Sequence, residues 1–423
     1  MAKYEIKDGV AILPEGIEMI EDEAFLDCEE LKRVVIPQWV RRIGEGAFRR
    51  CENLEVVELP EWLEDIGHGA FERCSSLKEL TLPQWVKRIE WAAFCRCSSL
   101  QNLFIPSSVT HIGCGAFSDC SSLVRIKVDS NNPVYDSRED CNAIIHTESN
   151  TLTSGCSNTI IPPSVTSIGG CAFDGCTSLT QISIPPSVTS INGRALWDCT
   201  SLTQISIPPS VTSIGEEAFS DCTSLTKISI PPSVTSIEDC AFQGCSSLQN
   251  LSIPSSVSHI GNGAFSDCSS LVCIKVDSNN PVYDSREDCN AIIHTESNKL
   301  ISGCSNTIIP PSVTSIGEYA FERCTSLTHI SLPPSVTSIG EEAFLGCTSL
   351  TQISLPPSVT SIGVCTFLDC TSLTQISLPP SVTSIRDYAF SHCTSLTLVK
   401  VSKNTELAEY AFWNCPRVEI ERY

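Results

Sequence analysis

The sequence predicts an α/β solenoid of about 17 stacked coils, in which short parallel strands alternate with short helical turns. Two observations carry this prediction. A cysteine recurs at a step of 23 residues along most of the chain, and every interval repeats the same order of apolar positions. We therefore expect the 423 residues to form a single solenoid over 1–423, wound as a right-handed superhelix or arc, rather than several globular domains.

The cysteine column has fifteen members, in three runs separated by two longer gaps. They are Cys28, Cys51, Cys74, Cys97, Cys120, Cys176, Cys199, Cys222, Cys245, Cys268, Cys324, Cys347, Cys370, Cys393 and Cys415. Side chains at one position of successive coils point the same way, which disfavours disulfides because these need facing Cβ atoms. A buried ladder of free thiols, packed as small apolar groups, is the expectation. Among the other ten cysteines, Cys273 occupies an outward strand position, which favours a reducing compartment.

The coil from Leu202 to Cys222 shows the elements in order. Its LxxLxL pattern predicts a short strand with one buried face, because alternate residues of a strand face opposite sides. The following Pro-Pro pair ends the strand, since proline has no N–H for a ladder. Gly215 then permits a bend into a short helical turn that buries Ala218 and Phe219. One coil cannot offset its own ordering entropy, so the coils must stack.

Two coils, at 129–161 and 277–309, are longer than the rest. The stretch KVDSNNPVYDSREDCNAIIHTESN occurs at 127–150 and again at 275–298, an offset of 148 residues that indicates a block duplication. Residues 142–153 predict two strands around a turn. We expect each long coil to carry a protruding hairpin.

The long coils contain side chains that metal ions use, but not at diagnostic spacing. The acidic residues between 129 and 140 lack the alternating oxygens, central glycine and terminal glutamate of an EF-hand. Cys141, His146 and Cys156 have zinc-ligand chemistry without a short Cys-x-x-Cys spacing, so core thiols and a surface histidine are the preferred interpretation. No metal site and no cofactor are predicted.

Composition and motifs exclude several functions. The net charge of -22 argues against a nucleic-acid partner, because phosphate binding draws on clustered Lys and Arg. No GxSxG, HExxH or glycine-rich phosphate loop occurs, and we predict no catalytic residue and no enzyme activity. The first twenty residues lack the apolar core of an export signal, and no apolar run reaches the roughly 18 residues of a membrane span. The expectation is a cytoplasmic protein without membrane insertion.

Coils of the form IPxSVTxIGxxAFxxCxSLTxI resemble the BspA-type leucine-rich repeats of bacterial surface and secreted proteins. The resemblance covers essentially the whole chain. It implies a leucine-rich-repeat solenoid that serves as a recognition scaffold. Better-known members of the family are adhesins that bind host proteins, so the resemblance also implies that family members are often found at the cell surface or secreted.

The amino-terminal coils carry a tryptophan stripe, formed by Trp39, Trp62 and Trp85 at the 23-residue step, where later coils have serine. Phe104 takes an outward strand position on the next coil, and the basic residues that follow the tryptophans are Arg41, Arg42, Lys87 and Arg88. Aromatic and arginine clusters are typical of interface hot spots, which predicts a partner-binding surface. The alternative is that the indoles pack along their own solenoid edge. Later coils present uniform Gln and Ser, which favours a solvated spacer.

The two ends are expected to close the solenoid. Residues 1–20 predict a hairpin cap that turns at Asp8–Gly9, and residues 405–423 predict a charged cap, so we expect a monomer. The preferred function is a non-catalytic scaffold for protein–protein interaction through the sheet face and the tryptophan stripe. The alternative is a cell-surface adhesin or glycan-binding protein, in which the indoles stack on sugar rings.

Overall fold

The computed structural model describes residues 3–423, so the first two residues of the predicted 1–20 cap lie outside the described range. The chain divides into two compact units, which meet in sequence between Leu202 and Thr203. Each unit is a solenoid of stacked coils. A single solenoid over 1–423, with a right-handed arc, stays a prediction.

Unit 1, up to Leu202, contains the following strands and one 3₁₀ helix. They are β1 (Glu5–Lys7), β2 (Val10–Ile12), β3 (Met19–Ile20), β4 (Arg33–Val35), β5 (Arg42–Ile43), β6 (Val56–Glu58), β7 (Asp65–Ile66), β8 (Arg88–Ile89), β9 (Asn102–Ile105), β10 (His111–Ile112), β11 (Arg125–Val128), β12 (Tyr135–Asp136), the 3₁₀ helix Arg138–Asp140, β13 (Ile144–His146), β14 (Thr151–Ser154), β15 (Ser167–Ile168), β16 (Gln181–Ser183) and β17 (Ser190–Ile191).

Unit 2, from Thr203, repeats this plan. Its elements are β18 (Gln204–Ser206), β19 (Ser213–Ile214), β20 (Lys227–Ser229), β21 (Ser236–Ile237), β22 (Asn250–Ile253), β23 (His259–Ile260), β24 (Cys273–Val276), β25 (Tyr283–Asp284), the 3₁₀ helix Arg286–Asp288, β26 (Ile292–His294), β27 (Lys299–Ser302), β28 (Ser315–Ile316), β29 (His329–Ser331), β30 (Ser338–Ile339), β31 (Gln352–Ser354), β32 (Ser361–Ile362), β33 (Gln375–Ser377), β34 (Ser384–Ile385), β35 (Leu398–Val401), β36 (Glu406–Leu407) and β37 (Glu419–Arg422).

Each ordinary coil contributes two short parallel strands. In unit 1 the first strands pair from coil to coil, as β4 with β6 and β9 with β11, and the second strands form the parallel sheet β3-β5-β7-β8-β10. In unit 2 the same two kinds of pairing give β18 with β20 and β19-β21-β23. The apolar side chains between the two kinds of strand are buried, which makes them the core.

The turn that closes each coil is not helical, so the predicted helical turns are wrong. Two residues of the turn, Glu217 and Asp221, have φ angles of 52° and 58°, which a right-handed helix cannot contain. In addition, every second N–H group of the turn donates to the next coil rather than within the turn, as Phe219 N does to Ala241 O at 2.8 Å. The turns are therefore joined by hydrogen bonds between coils. Among the described residues, helix is confined to the two three-residue 3₁₀ segments.

Phenylalanine and cysteine form two ladders inside these turns. The rings of Phe25, Phe48, Phe71 and Phe94 stack with centroids 5.0–5.2 Å apart. The column cysteines are free thiols, and most are buried, which confirms the predicted ladder. Most of these thiols also form a hydrogen bond between coils: Cys97 Sγ, for example, lies 3.3 Å from Phe71 O on the preceding coil and donates to it.

The long coils contain the predicted hairpin strands, but the hairpin is not a protrusion. β13 pairs antiparallel with β12 and β14, and β14 continues in parallel to β15, so the hairpin is part of the second-strand sheet. Ile144, Ile145 and Leu152 are fully buried. In unit 2 the strands β25 to β28 repeat this arrangement.

The ends of the chain hold short strand pairs. At the start, β1 and β2 form an antiparallel pair with Lys7 opposite Val10, within the segment 1–20. At the other end, β37 runs parallel to β35 inside the segment 405–423, with Glu419 opposite Leu398. These pairs place main-chain groups of both terminal segments in sheets.

Candidate partner-binding surface

The three tryptophans of the stripe lie in the bend between the two strands of their coils. Trp39 follows β4 and precedes β5, and Trp62 takes the same place between β6 and β7. Trp85 precedes β8. Trp39 is 69% exposed, Trp62 41% and Trp85 47%, so none of the three indoles is part of the core.

Most coils without tryptophan have serine at this place, and in several of them the serine links successive coils. Ser108, 23 residues after Trp85, donates from Oγ to Val86 O at 2.7 Å. The same contact recurs from Ser233 to Val211, from Ser256 to Val234, from Ser335 to Val313 and from Ser381 to Val359, at 2.6–2.7 Å. A tryptophan at this position gives up that bond, and the described residues provide its indole no hydrogen-bonding partner instead.

The indoles touch each other only in part. The rings of Trp62 and Trp85 lie 5.1 Å apart at 32°, and the guanidinium of Arg41 lies 5.7 Å from the centre of the Trp62 ring. No ring contact joins Trp39 to Trp62 among the described residues. A recess beside Trp39 is lined by Gly16, Glu18 and Arg41. Packing along the solenoid edge therefore covers one side of Trp62 and leaves about half of the stripe's surface in solvent.

Two of the predicted basic residues share one carboxylate. Glu64 lies 2.6 Å from Lys87 Nζ and 3.6 Å from the guanidinium of Arg41. The hydrogen bond from Lys87 is the main reason that the pKa of Glu64 is below its ordinary value. Since all three side chains are exposed to solvent, this network stabilises the fold only slightly.

The other two basic residues, Arg88 and Arg42, differ in whether they form ion pairs. Arg88 is paired with Glu90, its Nε lying 2.9 Å from Oε1, and lies 3.9 Å from Asp65. Arg42, beside Asp65 in the strand register, makes no ion pair with any described residue. Arg42 is therefore the cation of this surface whose charge is least compensated within the chain.

Phe104 does not join the stripe. It lies on β9 with 41% of its surface exposed, in register with Lys127 of β11, and it makes no ring contact with a described aromatic residue. The serine of its own coil, Ser108, holds the position that tryptophan takes in the three coils before it. The predicted set is thus one aromatic stripe with its basic neighbours and a separate phenylalanine on the strand face.

The structure adds exposed apolar residues that the sequence analysis did not select. On the strand face of unit 1, Ile12, Val35 and Val56 are 43–46% exposed. Period-2 alternation places all three at outward positions, and that signal could have found them. Trp91, 57% exposed, lies outside the stripe in the closing turn, which makes it a useful comparison residue.

The potential metal ligands of the long coil make ordinary contacts. Cys141 and Cys156 are buried, with the thiol of Cys156 3.5 Å from Asn142 O, and His146 Nδ1 lies 2.9 Å from Ser149 Oγ. Among the described residues no group of three or more His, Cys, Asp or Glu side chains is placed to hold a metal ion. No helix in the described part of the chain is long and apolar enough to cross a membrane.

The repeat model described as BspA type Leucine rich repeat region matches six copies in the chain, over residues 13–138, 146–279 and 296–419. The chain belongs to the BspA-type leucine-rich repeat family. The predicted resemblance is confirmed, and with it the leucine-rich-repeat solenoid. A search of curated proteins finds no match to this BspA-type chain.

Solved structures of bacterial leucine-rich-repeat proteins are similar to this BspA-type chain. A leucine rich cell surface protein of Faecalibacterium prausnitzii is 30% identical, with a TM-score of 0.60, 81% of this chain and 85% of that chain being covered. A leucine-rich repeat protein of Bacteroides ovatus is 26% identical, with a TM-score of 0.44 and coverage of 98% and 94%. The pneumococcal vaccine antigen PcpA is 19% identical, with a TM-score of 0.47 and coverage of 95% and 79%.

Proposed function

We propose that this chain is a non-catalytic scaffold that binds a protein partner through the tryptophan stripe of unit 1. One observation carries the proposal: the indoles of Trp39, Trp62 and Trp85 are 41–69% exposed at a position where serine in several other coils hydrogen-bonds to the preceding coil. The lost hydrogen bond is worth about 0.5–1.5 kcal/mol to folding, and an indole in solvent does not restore it. The indole surface that remains in solvent would be covered in a complex, and that is the gain that the proposal assigns to tryptophan at these positions.

The size of the stripe suits the centre of an interface. If each indole carries about 200 Å² of surface, the three expose on the order of 300 Å² of mainly apolar area. A stable complex covers about 800 Å² on each partner, so the stripe would supply the energetic centre and its surroundings the rest. Val35 and Val56 on the strand face and Arg41 beside Trp62 are available for that periphery.

The charges around the stripe favour a partner with an acidic rim. Arg42 has no carboxylate partner among the described residues, whereas Arg41 and Lys87 share Glu64. A partner carboxylate near Arg42 would gain a contact without breaking an existing pair. Because such a contact is exposed at the rim, it would affect the association rate and its salt dependence more than the affinity.

The test compares wild type with a variant in which Trp39, Trp62 and Trp85 are all changed to serine, the residue of the other coils. Each protein is used for capture from a lysate, and a captured protein is then purified and its affinity measured. The matched control is Trp91→Ser, which removes an equally exposed indole outside the stripe. We expect the triple variant to bind at least about tenfold more weakly and the control to bind as wild type does. Equal binding by the triple variant would refute the stripe as the site.

A cell-surface adhesin or glycan-binding protein is the second candidate. It is favoured by the likeness to a cell surface protein of Faecalibacterium prausnitzii and by the exposed indole surfaces, since aromatic rings in carbohydrate sites pack against sugars. This candidate places the chain outside the cell, against the cytoplasmic expectation. A glycan array probed with wild type and the triple variant separates the two candidates, because retention of a glycan by wild type alone would favour the second.

A further inference from the structure

Two free cysteines of unit 1 lie against each other on the surface. Cys114 Sγ is 3.4 Å from Cys171 Sγ and 3.5 Å from Gly170 O. Cys114 is exposed and Cys171 is partly exposed, unlike the buried column thiols. The two residues are 57 positions apart, so their proximity depends on how the coils stack.

The long coil brings the pair together. In ordinary coils, the N–H of the residue two positions after the ladder phenylalanine donates to a carbonyl oxygen of the next coil, as Asp27 N does to Arg49 O at 2.9 Å. At the long coil the bond skips one coil, since Asp119 N donates to Asp174 O at 2.8 Å. The long coil thus lacks the outer part of the closing turn. The closing turns of the coil before it and the coil after it are therefore hydrogen-bonded directly to each other. Cys114 and Cys171 belong to these two turns.

The surroundings make one of the two thiols a nucleophile. The hydrogen bond from the Cys171 thiol, helped by the positive charge of Arg194, lowers the pKa of Cys114 to about 6. The pKa of Cys171 is raised, mainly by the same hydrogen bond. Since the thiolate form exists above the pKa, Cys114 is largely ionised at neutral pH, and the thiolate is the reactive species.

We propose that Cys114 and Cys171 form a thiol–disulfide exchange site that reacts with small-molecule disulfides and closes into an intramolecular disulfide. The Cys114 thiolate attacks one sulfur of a disulfide RSSR, forming a mixed disulfide and releasing RS⁻, which takes up a proton. Cys171 then loses its proton and attacks Cys114 Sγ, releasing the second RS⁻. In sum, two protein thiols are oxidised and one small disulfide is reduced to two thiols.

The duplicated block shows that the pair is not a general consequence of the architecture. Asn262 and Tyr319 stand 148 residues after Cys114 and Cys171, at the second long coil. The turns meet there in the same way, because Asp267 N donates to Glu322 O at 3.1 Å. The geometry is repeated and the two thiols are not, so the chemistry belongs to the first junction alone.

The test uses the full chain, fully reduced and then equilibrated anaerobically with mixtures of reduced and oxidised glutathione. Disulfides are mapped by mass spectrometry of unreduced peptides. We expect a peptide pair joined through Cys114 and Cys171, formed at a lower fraction of oxidised glutathione than any other disulfide. Absence of this pair across the series, with both thiols alkylated as readily as Cys365, would overturn the proposal.

Single substitutions distinguish the two roles. In Cys171→Ser the resolving thiol is missing, so one glutathione should remain bound to Cys114, whereas Cys114→Ser should accumulate little glutathione at Cys171. The matched control is Cys365→Ser, because Cys365 occupies the same coil position as Cys171, has a similar φ of 52° against 57°, and has no thiol neighbour among the described residues. It should leave the cross-link unchanged, and loss of the cross-link in this control would contradict a site-specific reaction. Unchanged thermal unfolding of the reduced variants excludes misfolding as the cause.

Discussion

Ser108 donates a hydrogen bond from its Oγ to the carbonyl oxygen of Val86, 2.7 Å away on the preceding coil. A tryptophan-to-serine change in the stripe can restore this contact, and its effect on stability tests whether the tryptophan contributes to folding. We expect Trp39→Ser to leave the free energy of unfolding within about 1 kcal/mol of wild type, because the Trp39 indole is 69% exposed without a ring contact among the described residues, and the introduced hydroxyl can bond to the preceding coil. Urea unfolding checks this expectation. A loss of several kcal/mol would show that the indole supports the fold, and would remove the main argument for a binding role.

The stacked phenylalanines should carry much of the stability of unit 1. Phe71 is fully buried between Phe48 and Phe94, so Phe71→Ala should destabilise the unit by about 3–5 kcal/mol through lost contacts and a cavity. Phe104→Ala is the matched control, since 41% of Phe104 is exposed and it makes no ring contact among the described residues. Denaturant unfolding followed by circular dichroism should show a much smaller effect for the control. Equal effects would contradict the ladder as the source of stability.

A single asparagine anchors each long coil. Asn132 Nδ2 donates to Pro106 O and Val109 O at 2.8 and 2.9 Å, and its Oδ1 accepts from the N–H groups of Val134 and Tyr135. Asn132→Ala should cost about 2–4 kcal/mol, because buried main-chain groups lose their partners.

The neighbouring Asn131 provides the control for this anchor. Its side chain is exposed and bonds only to Asp129 Oδ1, so Asn131→Ala should change stability by less than about 1 kcal/mol. Thermal unfolding of both variants checks the pair. Comparable melting temperatures for the two variants would refute the anchoring role of Asn132.

A buried carboxylate should make unit 1 sensitive to pH. Burial, together with the charge of Asp119, raises the pKa of Asp174 to about 7, and its Oδ1 has no hydrogen-bond partner among the described residues. Because the folded pKa lies above the unfolded value, stability is greatest when the group is protonated and falls as pH rises from about 4 to 7. The loss should be on the order of a few kcal/mol.

Removing the Asp174 carboxylate should remove this pH dependence of stability. Asp174→Asn should match wild type near pH 4 and be more stable than wild type at pH 8, as measured by denaturant unfolding at several pH values. Glu322, at the equivalent place of unit 2, also has a pKa raised by burial, so Glu322→Gln should act in the same direction. A difference between wild type and Asp174→Asn that does not change with pH would contradict this account.

The sequence predicted the repeat, the paired strands and the buried cysteine ladder, because each follows from periodicity and the burial of apolar residues. It did not predict the form of the turn. Ala218 and Phe219 are buried as expected, yet the left-handed residues Glu217 and Asp221 on either side prevent a helix. Neither is glycine, but glycine stands at the same two positions in other coils, as Gly46 and Gly175 do with φ angles of 57° and 69°, and the prediction did not use that signal. The bonds that stabilise such a turn run to another coil, and local sequence does not reveal them.

The candidate surface was also predictable in part, because periodicity shows which residues of successive coils lie side by side. The 23-residue step brought Trp62 and Trp85 together, and their rings are in contact. The expected hairpin strands are present, but contacts with the sheet beyond β14 prevent them from protruding. The proximity of Cys114 and Cys171 was not predictable from the 23-residue step. It results from the long coil between them, which lacks the outer part of the closing turn.

The near identity of the two long coils has a consequence for how the gene can change. Recombination between the two copies of the 24-residue stretch would delete 148 residues and rejoin the chain at equivalent positions of the same local structure. Every remaining coil would still have a neighbour of the kind that it has now. Shorter alleles of this gene are therefore expected to encode folded proteins. Such alleles would keep the tryptophan stripe but place Tyr319 beside Cys114, and so would lose the paired thiols in a single genetic event.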